Sequence, residues 1–180
     1  MNKDQIIKTL QNENKKLRSS IDRLEYENKI DHLTGLYNRK YLDDKFISKL
    51  EVLSKDNYPF AIIVIDLDNL KKINDTYGHG KGDEYIKEFS NTMTLHIRPN
   101  DIVIRMGGDE FIILITDTDD LEKIVPNIIQ RIKNDCKTKN IYFSSGFSIS
   151  DMNSHKFDLT LKSADKKMYK EKSIKKNMLS

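Results

Sequence analysis

Four acids in two short stretches carry the chemistry this sequence offers. Arg105-Met106-Gly107-Gly108-Asp109-Glu110-Phe111 places two glycines before two carboxylates. Asp66-Leu67-Asp68 places two more at the end of an apolar run. Adjacent acids on a rigid corner repel each other unless something cationic sits nearby. Carboxylates at the end of a buried strand are costly unless they are paired or hold metal. Magnesium takes oxygen ligands from a few carboxylates, with phosphate oxygens completing its shell. Two acidic corners in one small domain therefore point to metal-assisted chemistry on a phosphate. For the glycine–acid stretch taken alone, a solvated turn is the plain alternative.

These acids need elements to hold them. Asp101-Ile102-Val103-Ile104 and Phe111-Ile112-Ile113-Leu114-Ile115 flank the glycines. Both runs are β-branched and aliphatic, which predicts two strands. Paired glycines between them suit a tight hairpin with Asp109 and Glu110 at its corner. Phe60-Ala61-Ile62-Ile63-Val64-Ile65 predicts a buried central strand. Lys71, Lys72, Asn74 and Asp75 then fall in a predicted short helix. Thr76-Tyr77-Gly78-His79-Gly80-Lys81-Gly82 reads as a glycine-rich loop, with Asp83 opening the next helix. Loop amides and a helix N-terminus make a phosphate or polar-ligand site.

The remaining pattern fills in around that centre. An amphipathic helix is predicted over 38 to about 54, with Tyr41, Leu42, Phe46, Leu50 and Leu53 as its apolar face, and a turn over 56–59. Residues 121 to about 137 predict a helix with Pro126 in its first turns. Residues 141–149 are strand-like, with Gly146 as a bulge. A last helix is predicted over 158 to about 172, carrying Leu159, Leu161, Ala164 and Met168. Strands alternate with helices around one tight hairpin, which predicts an α+β fold with helices against an antiparallel sheet.

Residues 1 to about 30 are polar and uninterrupted by glycine or proline. Ile7, Leu10, Leu17, Ile21 and Leu24 fall on a and d positions of a heptad, with Asn14 and Asn28 also at a. A helix with one narrow apolar stripe is expected there, paired with a second copy as a short coiled coil. A helix folded back on its own domain is the alternative. The domain organisation expected is thus 1–30 as a dimerising stalk and 31–180 as the catalytic unit.

Composition sets the outer bounds. A length of 180 residues fits one domain plus an appendage. A net charge of +3 is too small to argue for a nucleic-acid partner. The single cysteine, Cys136, excludes an internal disulfide and fits a reducing compartment. No apolar run approaches a membrane span and no signal peptide opens the chain, so a soluble, cytoplasmic protein without direct membrane contact is expected.

Several ordered motifs together resemble the GGDEF-domain diguanylate cyclases. Asp31-His32-Leu33-Thr34-Gly35-Leu36-Tyr37-Asn38-Arg39 resembles the opening signature of that family. Residues 66–83 resemble its nucleotide-site signature, and 107–111 its name-giving pentapeptide. Ala164-Asp165 and the tail from Lys172 to Asn177 complete a resemblance that runs from 31 to about 177. It implies a ferredoxin-like palm and the joining of two GTP molecules into cyclic di-GMP, with two pyrophosphates released. A catalytically silent GTP or cyclic di-GMP binding module is the alternative.

The resemblance also implies roles. Asp66 and Asp109 match metal-ligating side chains, assisted by the carbonyl of Leu67, with Mg2+ as the expected ion and Mn2+ as a substitute. Asp109 matches the group that activates the 3′-hydroxyl, and Glu110 the second essential acid. Lys71 matches a lysine that stabilises phosphate charge. Asn74 and Asp83 match guanine readers, His79 a substrate contact, and Gly107 and Gly108 positions where backbone approaches nucleotide. Lys172 and Lys176 match residues holding the β- and γ-phosphates. The family usually ends Gly-Arg-Asn where this chain has Lys175-Lys176-Asn177. Arg98 and Asp101 match an inhibitory product site. Asp31 and Arg39 match a structural ion pair. Partners implied are GTP, cyclic di-GMP, a second copy of the chain and an upstream sensor.

Overall fold

The computed structural model describes residues 2–42, 59–116, 120–150 and 157–178. The expected helix beyond Leu42, including Phe46, Leu50 and Leu53, and the turn over 56–58 lie outside the described residues. Along the chain come α1 (Lys3–Glu27), β1 (Tyr37–Asn38), α2 (Arg39–Tyr41), β2 (Ala61–Leu67), α3 (Leu70–Tyr77) and α4 (His79–Thr94). They are followed by β3 (Ile102–Gly107), β4 (Glu110–Ile115), α5 (Leu121–Thr138), β5 (Phe143–Ile149) and α6 (Phe157–Met178).

The five strands form one sheet in the order β1-β3-β4-β2-β5. The four longer strands are antiparallel to their neighbours, and β1 pairs parallel with β3 at the edge. The sheet is therefore mixed rather than wholly antiparallel. From β2 onward the chain follows the strand–helix–strand–strand–helix–strand order of a ferredoxin-like palm.

Every residue of β2 is buried, because helices cover both faces of the sheet. Alternation sends Ala61, Ile63, Ile65 and Leu67 to a core shared with Ile86, Phe89 and Met93 of α4 and Val125, Ile128 and Ile132 of α5. Phe89 meets Phe111 edge-on, with ring centroids 5.0 Å apart. Phe60, Ile62 and Val64 face the other way, onto Ala164 and Met168 of α6. Asp66 continues that second row, so the period of the strand aims its carboxylate at α6.

Gly146 does not form a bulge. Its register with Val64 is regular, and a Cβ built there would lie 2.2 Å from the backbone nitrogen of Met168 and 2.3 Å from the carbonyl oxygen of Ala164. The glycine is needed because α6 presses directly on β5. The glycine-rich stretch is not a loop either. α3 runs to Tyr77 and α4 starts at His79, with Gly78 at φ 82° as the single break. Asp83 consequently lies in the second turn of α4 and does not open it. Residues 172–177 are also helical, since α6 continues to Met178. Cys136 is buried in α5, and burial pushes its thiol up to about 12, which makes it inert as a nucleophile.

α1 opens with a capping box, the side chains of Asn2 and Gln5 each bonding the other's backbone N–H. It does not fold back onto the domain. Ile7, Leu10, Leu17, Ile21 and Leu24 are 43–61% exposed. Among the described residues, no helix is long and apolar enough to cross a membrane.

Replacing Gly146 by alanine forces a methyl into helix backbone, which cannot rotate aside as a side chain would. We expect a loss of about 3 kcal/mol, read as a melting temperature lower by about 10 °C. An unchanged melting curve would contradict the close strand–helix contact.

Candidate functional site

The mouth of the site is the end of β2 and the turn between β3 and β4. The turn depends on Gly107 at φ 141° and Gly108 at φ 53°, values that side chains disfavour. It is fixed to β2 by the N–H of Leu67, which donates to the carbonyl of Asp109 at 3.0 Å. Asp66 sits opposite Glu110 in the strand register. Asp66 is 7% exposed, Asp109 is half-buried and Glu110 is exposed. The two neighbouring acids of the motif thus occupy different environments.

Asp66 is met by the ammonium of Lys172, one turn beyond Met168 on α6. Burial holds the Asp66 carboxyl above the usual carboxylate range, and the charges of Asp109 and Asp68 push the same way against Lys172. Burial works against the charge of Lys172, but Asp66 outweighs it and keeps the ammonium firmly protonated. Asp109 and Asp68 add to that effect, so one lysine faces three acids.

Lys175 is not among the expected site residues, yet it lies in this corner, partly exposed. Its ammonium donates to Asp68 at 3.1 Å, to the Ser144 hydroxyl at 3.3 Å and to the Phe143 carbonyl, and it pairs with Glu171 at 2.9 Å. Glu171 in turn receives two hydrogen bonds from Lys133 of α5. Burial raises the Glu171 carboxyl, but these two lysines bring it below its ordinary range. The available sequence signal was spacing: Lys175 is an i+4 neighbour of Glu171 and an i+3 neighbour of Lys172.

Lys172, Lys175 and Lys176 border a cleft of about 1080 Å3 that Lys71, Asp68, Asn69, Tyr142 and Met178 also line. Lys71 is exposed in the first turn of α3, so the expected phosphate lysines do gather in one place. Asn74, further along α3, turns its Oδ1 against Gly82, where a Cβ would lie 1.8 Å away. That oxygen is buried and has no hydrogen-bond partner among the described residues. Asp83, the next residue after Gly82, and His79 are exposed on α4. Arg98 and Asp101 are bound into one turn, the N–H of Arg98 donating to Asp101 Oδ2 at 3.2 Å, with the Arg98 side chain exposed.

One expected pair is corrected. Asp31 does not pair with Arg39, which is exposed at the start of α2. Arg105 takes its place, donating to both Asp31 oxygens at 3.0 and 3.2 Å and to the Gly108 carbonyl at 2.9 and 3.2 Å. The arginine that precedes the glycines therefore clamps their turn to the segment following α1. Burial raises the Asp31 carboxyl, but bonds from Thr34 and from Arg105 outweigh it and hold it below the usual range.

No set of three or more acidic, histidine or cysteine side chains converges as a metal site among the described residues. The expected donor set contains fewer: two carboxylates, Asp66 and Asp109, and the carbonyl of Leu67. An ammonium already stands on Asp66, and the electrostatics of the corner therefore suit a cation. The donor set fits a hard divalent ion.

Residues 28–178 match the diguanylate cyclase GGDEF domain family. Over 151 residues, 83% of this chain and 30% of the relative, the chain is 38% identical to the probable diguanylate cyclase DgcJ of Escherichia coli strain K12. It is 32% identical to the response regulator PleD of Caulobacter vibrioides over 82% of this chain and 34% of PleD. The chain thus spans about a third of the length of these curated relatives. The fold matches the coiled coil and GGDEF domain of DgcB from Caulobacter crescentus, solved with c-di-GMP, at TM-score 0.82 and 22% identity over 94% of both chains.

The Asp31–Arg105 clamp has a definite pH signature. The folded carboxyl is held below its unfolded value of about 3.9, so its contribution is fully present above that value and is lost as pH falls through the folded one. We expect Asp31→Asn to destabilise the protein by about 2 kcal/mol at pH 7, with the gap to the parent closing as pH falls below about 4. Urea unfolding midpoints measured across that range check it. A gap independent of pH would rule out the charged clamp.

Proposed function

The chain belongs to the GGDEF diguanylate cyclase family, and from that premise we propose that it condenses two GTP molecules into cyclic di-GMP with release of pyrophosphate. The observation that carries this reading is the juxtaposition of a buried acidic corner, Asp66 with Asp109, and a lysine-lined cleft large enough for a nucleotide. Acids without the basic cleft would suggest a cation store. Lysines without the acids would suggest an anion-binding surface. Together they suit phosphoryl chemistry, where positioning and charge neutralisation do most of the work.

Asp66, the Leu67 carbonyl and Asp109 would hold Mg2+, with Mn2+ as a substitute. When bound, the ion neutralises phosphate charge and makes the attacking 3′-hydroxyl more acidic. Asp109, on the turn and half-buried, accepts the proton from that hydroxyl. Glu110 stands beside it on the exposed side and adds negative field or a further oxygen. Lys71 meets phosphate charge as it develops, while Lys172 and Lys176 hold the β- and γ-phosphates. Asn74 and Asp83 read guanine. Asn74 packs against Gly82, the residue before Asp83, and its buried Oδ1 is an acceptor still to be matched. A carboxylate at 83 suits the guanine N1–H and N2 donors and penalises adenine. His79 contacts substrate from the first turn of α4, and Gly107 and Gly108 let backbone approach it.

One domain holds one nucleotide, so the product requires two domains face to face. The exposed stripe on α1 supports a homodimer, in which residues 1–30 pair as a stalk and 31–180 form the half-site. An upstream sensor would act through that stalk. Arg98 and Asp101 are read as the inhibitory site for cyclic di-GMP, because a guanidinium and a carboxylate held in one turn suit a phosphate and a guanine edge.

Incubation with GTP and Mg2+, with products resolved by chromatography, tests the activity. The parent should form cyclic di-GMP, with specific activity rising with protein concentration if two half-sites must meet. Asp109→Ala should lower the rate at least about a hundredfold. GTP binding without turnover at high protein concentration would favour the silent regulatory module. In the same assay, Arg98→Ala should leave the initial rate intact and abolish the slowing caused by added cyclic di-GMP. Slowing identical to that of the parent would remove the inhibitory role.

A further inference from the structure

We propose that Lys172 is an exchangeable counter-cation: its ammonium stands on Asp66 where a divalent metal would bind, and it transfers to the triphosphate when metal and nucleotide arrive together. The inference rests on the reading of Asp66 and Asp109 as metal-binding carboxylates.

Three observations carry it. First, Asp66 is buried and the ammonium of Lys172 is its cationic partner among the described residues. The ammonium holds Oδ1, and a divalent ion on the same carboxylate would stand within a few Å of it and repel it. Second, Lys172 has somewhere to go. Its side chain is 40% exposed and borders the lysine-lined cleft, so its flexible stem can swing the ammonium from Asp66 into that cleft. Third, the neighbouring lysine is committed. Lys175 is tied by Asp68, Ser144, the Phe143 carbonyl and Glu171, four partners against the one found for Lys172. The two ammonium groups of one helix face therefore divide the tasks: Lys175 is an anchor and Lys172 is mobile.

The consequence is a coupling between ligands. A metal ion arriving alone must move the ammonium off Asp66, while the same ion draws on Asp109 and Asp68 is already held by Lys175 and Ser144. Arriving with a triphosphate, it leaves that ammonium a new anion. Metal and nucleotide must therefore raise each other's affinity, and by linkage the factor is the same in both directions. In the resting site Lys172 offsets part of the acidic charge and so competes with metal in the absence of substrate.

Titration of the full chain with Mn2+, followed by the electron paramagnetic resonance of the free ion, tests this without any turnover. Lys172→Gln should bind Mn2+ about tenfold more tightly than the parent, the order expected for removing one competing charge at close range. Lys172→Arg should stay as weak as the parent, and Lys175→Gln should change affinity by less than about threefold. A non-hydrolysable GTP analogue should tighten Mn2+ binding in the parent more than in Lys172→Gln. Lys172→Met serves as a second neutral variant, and thermal melts establish that each variant is folded. Equal Mn2+ affinity in the parent and both neutral variants would overturn the exchange while leaving the metal site standing. Absence of Mn2+ binding in every protein, with or without nucleotide, would overturn the metal site and the exchange with it.

Discussion

Asp66 ends a strand that has protein on both faces, and a carboxylate in that position must be met by a cation. The strand itself leaves no choice about direction. Ile62 and Val64 point toward α6, so Asp66 does as well. The cost of desolvating an acid there is of the order of several kcal/mol unless charge or hydrogen bonds offset it. Lys172 provides the charge because α6 lies hard against β5, and it lies so close because residue 146 has no side chain. A close backbone approach at Gly146 therefore determines which lysine reaches the acidic corner.

The turn carrying Asp109 is held by a different device. Its backbone visits left-handed values at Gly107 and Gly108, and a turn of that kind needs external support to keep one conformation. Arg105 supplies it by donating to the Gly108 carbonyl and to Asp31 together. The fork of a guanidinium can do this, whereas the point charge of a lysine cannot hold two partners in fixed directions. The same residue ties the turn to the segment after α1, so the position of Asp109 and the exit of the first helix share one anchor.

Much of this was legible in the sequence because it is local or periodic. The apolar run before Asp66, the paired glycines between aliphatic strands and the heptad stripe of α1 each depend on near neighbours, and each is found. What was misread depends on distant ones. Asp31 and Arg105 are 74 residues apart, and the resemblance of the opening segment pointed to Arg39 within the same motif. The stretch Gly78 to Gly82 has the composition of a loop, yet all but Gly78 is helical. Ile86 and Phe89 bury the helix that follows, and Gly82 fits against Asn74, so packing outweighs the low helix propensity of glycine. Gly146 was read as a local bulge when its cause is a helix from another part of the chain. Lys175 entered the sequence reading only as a departure from the family's ending, because its partners Asp68, Phe143 and Ser144 lie far off in the chain.

Lysine at 175 also bears on how the cleft works. Lys133, Glu171, Lys175 and Asp68 alternate in sign from α5 through α6 to the end of β2. Each link is partly exposed, so its individual contribution is modest. As a chain it matters more, because Glu171, Lys175 and Asp68 each have at least two polar partners and Lys133 holds Glu171 through two hydrogen bonds. It fixes the last turns of α6, and with them the backbone from which Lys172 and Lys176 extend. An anchored backbone bearing flexible ammonium groups suits a site that must first neutralise its own acids and then grip an anion, since the charges can move while their origins stay still.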